Sequence, residues 1–161
     1  MKPQYKLAGS LALAVLALDQ ITKLLVQAHL KLYTSVEIVP GFFNLVHTLN
    51  KGAAFGFMND RDTDWQVYFF IAAAAFAVLI IFNLLSKAEN EGRLFVWALG
   101  AILGGALGNV ADRLRLGEVV DFLDFAVGSY HWPAFNVADI AITCGSLALI
   151  FSFYARGRRK D

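Results

Sequence analysis

Long apolar runs alternate with short polar stretches along this chain. Four runs, at residues 7–28, 65–85, 94–114 and 134–154, are each close to the roughly 20 apolar residues that a helix needs to cross a bilayer. The stretches between them leave little of the chain outside such a bilayer. The pattern therefore predicts an all-α membrane protein with four transmembrane helices, folded as a single integral membrane domain over residues 1–161.

The stretches between the runs have patterns of their own. Residues 36–39 and 42–49 are rich in β-branched and aromatic side chains, and the Pro-Gly turn signal at residues 40–41 lies between them, which predicts a small β hairpin. Residues 118–127 are also strand-like. Residues 52–58 are apolar but too short to span a bilayer, which favours a short interfacial helix.

The first apolar run also has features of a secretory signal peptide. Lys2 and Lys6 precede it, and residues 12–14 offer small side chains at cleavage spacing. However, the apolar character resumes after Lys23, so the whole run is long enough to span. We therefore expect this helix to be retained.

Basic residues cluster on the side of the predicted bundle that carries both termini. Lys2 and Lys6 lie before the first span, and residues 156–160 contain four basic side chains. Because Lys and Arg flanks stay preferentially in the cytoplasm, the sequence predicts cytoplasmic termini. The hairpin and the interfacial helix then lie on the extracytoplasmic side.

The composition agrees with a membrane protein and narrows the possible chemistry. The chain is 58% hydrophobic and 17% charged, against about 45–50% and about 25% for a soluble domain. Its net charge of +1 gives no indication of nucleic-acid binding. Cys144 is the sole cysteine, and His29, His47 and His131 are far apart in sequence. The sequence therefore predicts no internal disulfide, no metal site and no other cofactor.

Polar residues that a membrane helix tolerates poorly collect at one depth of the predicted bundle. They fall in the outer half of the first span, at the outer end of the third, in the first turns of the fourth and in the two outer loops. These residues are Asp19, Lys23, Asn50, Asn109, Asp112, Arg113, Asp121, Asn136 and Asp139. The inner halves of the spans are almost free of such groups, so the topology predicts a polar site near the outer face.

Structural explanations compete with a functional one for several of these residues. Asp19 and Lys23 have the i,i+4 spacing of an intrahelical ion pair. Asp112 and Arg113 are interpreted first as an anchor for the helix end that binds lipid phosphate. Glycines at residues 100, 104, 105 and 108 are interpreted mainly as helix packing, since small residues let membrane helices approach closely. Asp139 has no basic neighbour within a helical turn and is harder to explain structurally.

Two carboxylates, Asp121 and Asp139, suggest general acid–base chemistry, because no nucleophile–base pair accompanies them. Facing each other at about 3 Å they would share one proton, as in aspartic proteases. A proton-coupled transporter and a non-catalytic membrane adaptor are the alternatives. A transporter would need polar residues along the whole path, which the apolar inner halves disfavour.

Five ordered blocks of this sequence resemble those of the lipoprotein signal peptidase (signal peptidase II) family. They are DQITK at residues 19–23, NKGAAFG at 50–56, GGALGNVADR at 104–113, VVDF at 119–122 and FNVAD at 135–139. The resemblance covers nearly the whole chain, with four spans in the expected order. It implies a monomeric, intramembrane aspartic endopeptidase of the bacterial cytoplasmic (inner) membrane.

The resemblance also implies a substrate and a set of site residues. The substrate is a diacylglyceryl-modified prolipoprotein in the lipid bilayer, cleaved just before its lipidated cysteine, and the cyclic peptide globomycin is the expected inhibitor. Asp121 and Asp139 are the implied catalytic dyad. The implied substrate-binding or site-ordering residues are Asp19, Lys23, Asn50, Gly105, Asn109, Arg113 and Asn136. The hairpin and the short helix after Asn50 would form a platform and a lid.

Overall fold

Four long helices and a small antiparallel sheet make up the part of the chain that a computed structural model describes, residues 2–52 and 65–157. The helices are α1 (Pro3–His29), α2 (Trp65–Ser86), α3 (Arg93–Leu116) and α4 (Val137–Gly157). By length and composition all four could cross a membrane. The predicted fold class is therefore confirmed for the described residues. Most of the predicted interfacial helix, residues 53–58, lies outside them.

The sheet has four strands in the order β1-β2-β3-β4, with antiparallel pairing throughout. The strands are β1 (Ser35–Val39), β2 (Phe43–Asn50), β3 (Val119–Val127) and β4 (Tyr130–His131). The Pro-Gly signal does form the β1–β2 turn, where Gly41 takes a φ of 69° that favours glycine. Pairing of β2 with β3 joins two segments that are far apart in sequence.

α4 begins three residues after the start of the apolar run that predicts it. Up to Phe135 the chain is still extended, because Phe135 and Leu123 exchange backbone hydrogen bonds of 2.9 and 3.0 Å. Asn136 then leads into the helix. This extension ties the start of α4 to β3, so the fourth helix and the sheet are held together at one end of the bundle.

α3 is the central helix, packed between α1 and α4 along its small-residue faces. A Cβ on Gly104 would come within 2.6 Å of the Ala12 carbonyl oxygen, and one on Gly105 within 2.5 Å of the Ala138 carbonyl oxygen. Glycine is thus required for both helix contacts, as the packing interpretation predicts. Gly105 contacts backbone of α4 here, which makes it a packing residue beside the site.

The two ends of the bundle differ in what they bury. At the end far from the sheet, α1, α2 and α3 bury an apolar cluster that includes Ala8, Leu85 and Leu99. Among the described residues, every buried charged side chain lies at the sheet end. Large apolar side chains such as Leu13 and Leu147 point outward, as expected for helices that face lipid.

Candidate active site

One cavity at the sheet end brings most of the sequence-predicted site residues together. Its volume is about 370 Å³. Its walls are formed by Asn50, Gly52, Phe70, Ala73, Ala74, Ala77, Ile102, Ala106, Asn109, Val110, Arg113, Val119, Asp121, Asp139 and Ile142. We call this space the site cavity. Its upper part is polar, whereas small apolar residues of α2 and α3 line its lower part.

Asp121 is delivered by β3 and is almost fully buried, with 3% of its surface exposed. Its two oxygens accept hydrogen bonds from the Asn136 Nδ2 at 2.7 Å and the Asn50 Nδ2 at 3.1 Å. Burial and the nearby charge of Asp139 raise the pKa of Asp121 to about 7, although both asparagine bonds oppose that shift. Near neutral pH this carboxyl group is therefore able both to hold and to release a proton.

Asp139 lies in the first turn of α4, where it is also part of the helix cap. Its Oδ2 accepts the backbone N–H of Asn136 at 3.3 Å, and the Asn136 Oδ1 accepts the backbone N–H of Asp139 at 3.0 Å. This reciprocal pair has the form of a capping box. The remaining oxygen, Oδ1, accepts a hydrogen bond of 2.9 Å from the Asn109 Nδ2. Capping thus fixes the carboxylate at the wall of the site cavity.

Three asparagines turn their amide nitrogens toward the two carboxylates, and each orientation is fixed from the other side. The Asn50 Oδ1 accepts the backbone N–H of Gly52 at 2.8 Å. The Asn109 Oδ1 accepts the ammonium of Lys23 at 3.0 Å. The Asn136 Oδ1 is engaged in the helix cap, as described above. Since these partners can only donate, each side-chain NH₂ group is left to face a carboxylate.

A buried ionic cluster supports the site from α1. The Lys23 Nζ lies 2.8 Å from the Asp19 Oδ2 and 2.9 Å from the Asp112 Oδ2, and all three side chains are fully buried. With the bond to Asn109, the three hydrogens of the ammonium have three acceptors. The predicted Asp19–Lys23 pair is thus one half of a bridge between α1 and α3.

The two carboxylates of this cluster also hold the backbone beside the dyad candidates. The Asp19 Oδ1 accepts the N–H of Ala138 at 2.9 Å, and the Asp112 Oδ2 accepts the N–H of Val120 at 3.1 Å. Ala138 precedes Asp139, and Val120 precedes Asp121. Lys23, which contacts both Asp19 and Asp112, therefore links the two carboxylates that hold these backbone segments.

Asp112 differs from its sequence interpretation as a lipid-facing anchor. It is fully buried, and its partners include the ammonium of Lys23 and the backbone N–H of Val120 inside the bundle. The neighbouring Gln20 also belongs to this cluster and was not among the predicted site residues. Its Nε2 donates to Asp112 at 3.1 Å and to the Gly108 carbonyl oxygen at 3.1 Å. Its position next to Asp19 was the available sequence signal.

Arg113 forms one wall of the site cavity, at the sheet end of α3. Its guanidinium donates to the Gly52 carbonyl oxygen at 2.8 Å and lies 4.5 Å from the centre of the Phe70 ring. The ring contact is a cation–π interaction. Together the two contacts join α3 to α2 and to the segment after β2.

Over the described ranges there is no group of three or more His, Cys, Asp or Glu residues arranged to hold a metal ion.

Comparisons with known proteins agree on one family. A family model described as signal peptidase (SPase) II matches residues 11–155. A lipoprotein signal peptidase of Maridesulfovibrio salexigens is 51% identical over 94% of this chain and 97% of its own length. One of Nitratidesulfovibrio vulgaris is 46% identical over 94% and 91%. A solved bacterial membrane enzyme structure covers 96% of this chain and 91% of its own, with a TM-score of 0.84 and 29% identity.

Proposed function

This chain belongs to the signal peptidase II family, and from that premise we propose that Asp121 and Asp139 are the catalytic dyad of an intramembrane aspartic endopeptidase. The enzyme removes the signal peptide from diacylglyceryl-modified prolipoproteins and cleaves before the lipidated cysteine. The observation that carries the assignment of the dyad is their placement. Both carboxylates line one cavity, and each is oriented by asparagine amides.

The chemistry follows from one proton shared by two carboxyl groups. The ionised carboxylate takes a proton from a water molecule, and the resulting hydroxide attacks the scissile carbonyl carbon. The protonated partner gives its proton to the departing amine as the carbon–nitrogen bond breaks. After the step the dyad again holds one proton. The raised pKa of Asp121 supports this scheme, because a carboxyl group that titrates near pH 7 suits both roles.

The remaining polar residues would have supporting roles around the dyad. Asn50, Asn109 and Asn136 order the carboxylates, and Arg113 holds the segment at Gly52 close to the cavity. Asp19 and Lys23 support them from α1, and Gly105 permits the close contact of α3 with α4. These assignments are supported by the hydrogen bonds, the ion pair and the packing contact described above.

The site depth supports an orientation for the protein. The chain is a multi-pass membrane protein, and we place it in the bacterial inner membrane with both termini in the cytoplasm. The sheet end would then face outward, where water for hydrolysis is available. A substrate held by acyl chains and a signal helix presents its scissile bond at this interface. The site cavity is the proposed binding space for globomycin, in a monomeric enzyme.

A transporter or an adaptor fits the molecule less well. A transport path would need polar groups through the whole bundle. The buried charged residues of the described ranges are instead confined to the sheet end, over an apolar cluster. A proteolytic site at one interface accounts for this distribution without further assumptions.

A cleavage assay tests the proposal directly. Purified enzyme in detergent is incubated with a diacylglyceryl-modified prolipoprotein, and the shift in product size is followed. We expect Asp121→Asn and Asp139→Asn each to abolish cleavage. Asp124→Asn is the matched control, because Asp124 is also a buried β3 aspartate but is paired with Asn44 and His131. Full activity in either dyad variant would refute the assignment.

A further inference from the structure

A second cavity lies against Asp139 and extends along α4. Its volume is about 290 Å³, and it is bounded above by the extended segment that carries Trp132 and Phe135. Along α4 it follows Ile140, Thr143 and Cys144. We call this space the α4 groove. Of the described residues that line it, Asp139 is the one charged side chain.

The α4 groove and the site cavity meet at a single residue. Asp139 lines both spaces, whereas the other described wall residues of the two differ. The site cavity extends from Asp139 toward α2 and α3, where Ala73, Ala74 and Ala77 leave room. The α4 groove starts at the same carboxylate and descends by about 7.5 Å along the helix axis to Cys144. Two spaces with apolar lower walls therefore start at one residue of the proposed dyad and extend in different directions.

The substrate of the proposed function has two apolar parts on opposite sides of the scissile bond. The signal peptide precedes that bond, and the diacylglyceryl group is on the cysteine that follows it. We propose that the α4 groove holds an acyl chain of the diacylglyceryl group while the site cavity holds the end of the signal peptide. This inference rests on the proposed function, and it names a specificity site for the same reaction.

The chemistry of the groove supports a hydrocarbon chain as its occupant. Its described walls below Asp139 are apolar or weakly polar, so they offer no group that would bind a charged or strongly polar ligand. Ile140 and Cys144 are exposed at the outer surface of α4, so a chain could enter sideways from the bilayer. Lipid tails are as apolar as the groove itself, so moving an acyl chain from the bilayer into the groove gains little free energy from the hydrophobic effect. The contribution of the groove is therefore to position the substrate. It would orient the lipidated cysteine against the dyad, which raises the rate.

A variant that fills the groove provides the first test. Cys144→Trp places a large ring in the lower part of the space, and Ile150→Trp is the matched control on the same helix. Ile150 is 65% exposed and does not line the groove. Each enzyme is assayed on one prolipoprotein that carries either two palmitoyl or two butanoyl chains. The measured quantity is the ratio of kcat/KM for the long-chain substrate to that for the short-chain substrate.

We expect the wild-type enzyme to prefer the long chains and Cys144→Trp to lower the ratio by about tenfold or more, as misplacement of a reacting group does. Ile150→Trp should keep the wild-type ratio. An unchanged ratio in Cys144→Trp, or the same loss in both variants, would overturn the assignment of the groove. Failure of the proposed function would give a different result, because the Asp121→Asn variant would then still cleave the prolipoprotein.

Photochemical crosslinking provides a second test that does not depend on activity or on the tryptophan variant. The Asp121→Asn protein is mixed with a prolipoprotein whose acyl chains end in a diazirine, then irradiated and digested. We expect the label on peptides from residues 132–144. Labelling confined to α2 and α3, or spread evenly over all lipid-facing helices, would contradict the proposal.

Discussion

Lys23→Met is the change that most directly tests how the site is supported. The substitution keeps an unbranched apolar stem of similar length but removes the ammonium group. Asp19 and Asp112 then remain buried with no cation between them, because Lys23 contacts both at 2.8 and 2.9 Å. Asn109 also loses the donor that fixes its Oδ1.

The expected loss of stability is large because all three charged side chains are fully buried. Removing one partner of a buried ion pair typically costs about 3–5 kcal/mol, since the remaining charge is left uncompensated. For a chain of this length the loss corresponds to a fall in Tm on the order of 10 °C. Lys23→Met/Asp112→Asn removes one of the two stranded carboxylates. The free energy of unfolding of this double variant should therefore be roughly 0.5–3 kcal/mol higher than the sum of the two single losses predicts.

Thermal unfolding in one detergent, followed for both single variants and the double variant, measures this coupling. Arg115→Met serves as the control, because Arg115 also lies beside the cluster, 3.5 Å from Asp112, but its side chain is 39% exposed. That variant should change stability by less than about 1 kcal/mol, as exposed ion pairs do. A loss below about 1 kcal/mol for Lys23→Met, or strictly additive effects in the double variant, would refute the role of the buried bridge.

Three further predictions concern the proposed dyad and the helix contacts. The raised pKa of Asp121 means that its contribution to stability is present below about pH 4 and is lost as the pH rises toward 7; Asp121→Asn should therefore raise Tm more at pH 8 than at pH 4. Gly105→Ala places a Cβ 2.5 Å from the Ala138 carbonyl oxygen and should cost about 1–3 kcal/mol in thermal unfolding, whereas Gly9→Ala, which meets nothing within 4 Å, should not destabilise. Asn109→Ala should lower kcat by about tenfold or more with little change in KM, because it removes a hydrogen-bond donor at the dyad; a change confined to KM would contradict that role.

The sequence carried the information for features that depend on local pattern. Apolar runs of sufficient length determined the four helices, and the Pro-Gly signal determined the β1–β2 turn. The meeting of Asp121, Asn136 and Asp139 at one end of the bundle followed from the order and direction of the spans. These inferences succeed because helix length and turn geometry depend on neighbouring residues, and alternation of the spans then fixes which ends meet.

The long-range contacts depended on the tertiary structure. Pairing of β2 with β3 brings Asn50 to Asp121, and no local pattern in either strand specifies that register. Asp112 had the sequence features of a lipid-facing anchor, yet it is buried against Lys23. Such outcomes depend on which groups from distant segments satisfy one another when water is excluded. The sequence thus determined which end of the bundle carries the candidate site, and the packing of α1, α3, α4 and the sheet decided which atoms meet there.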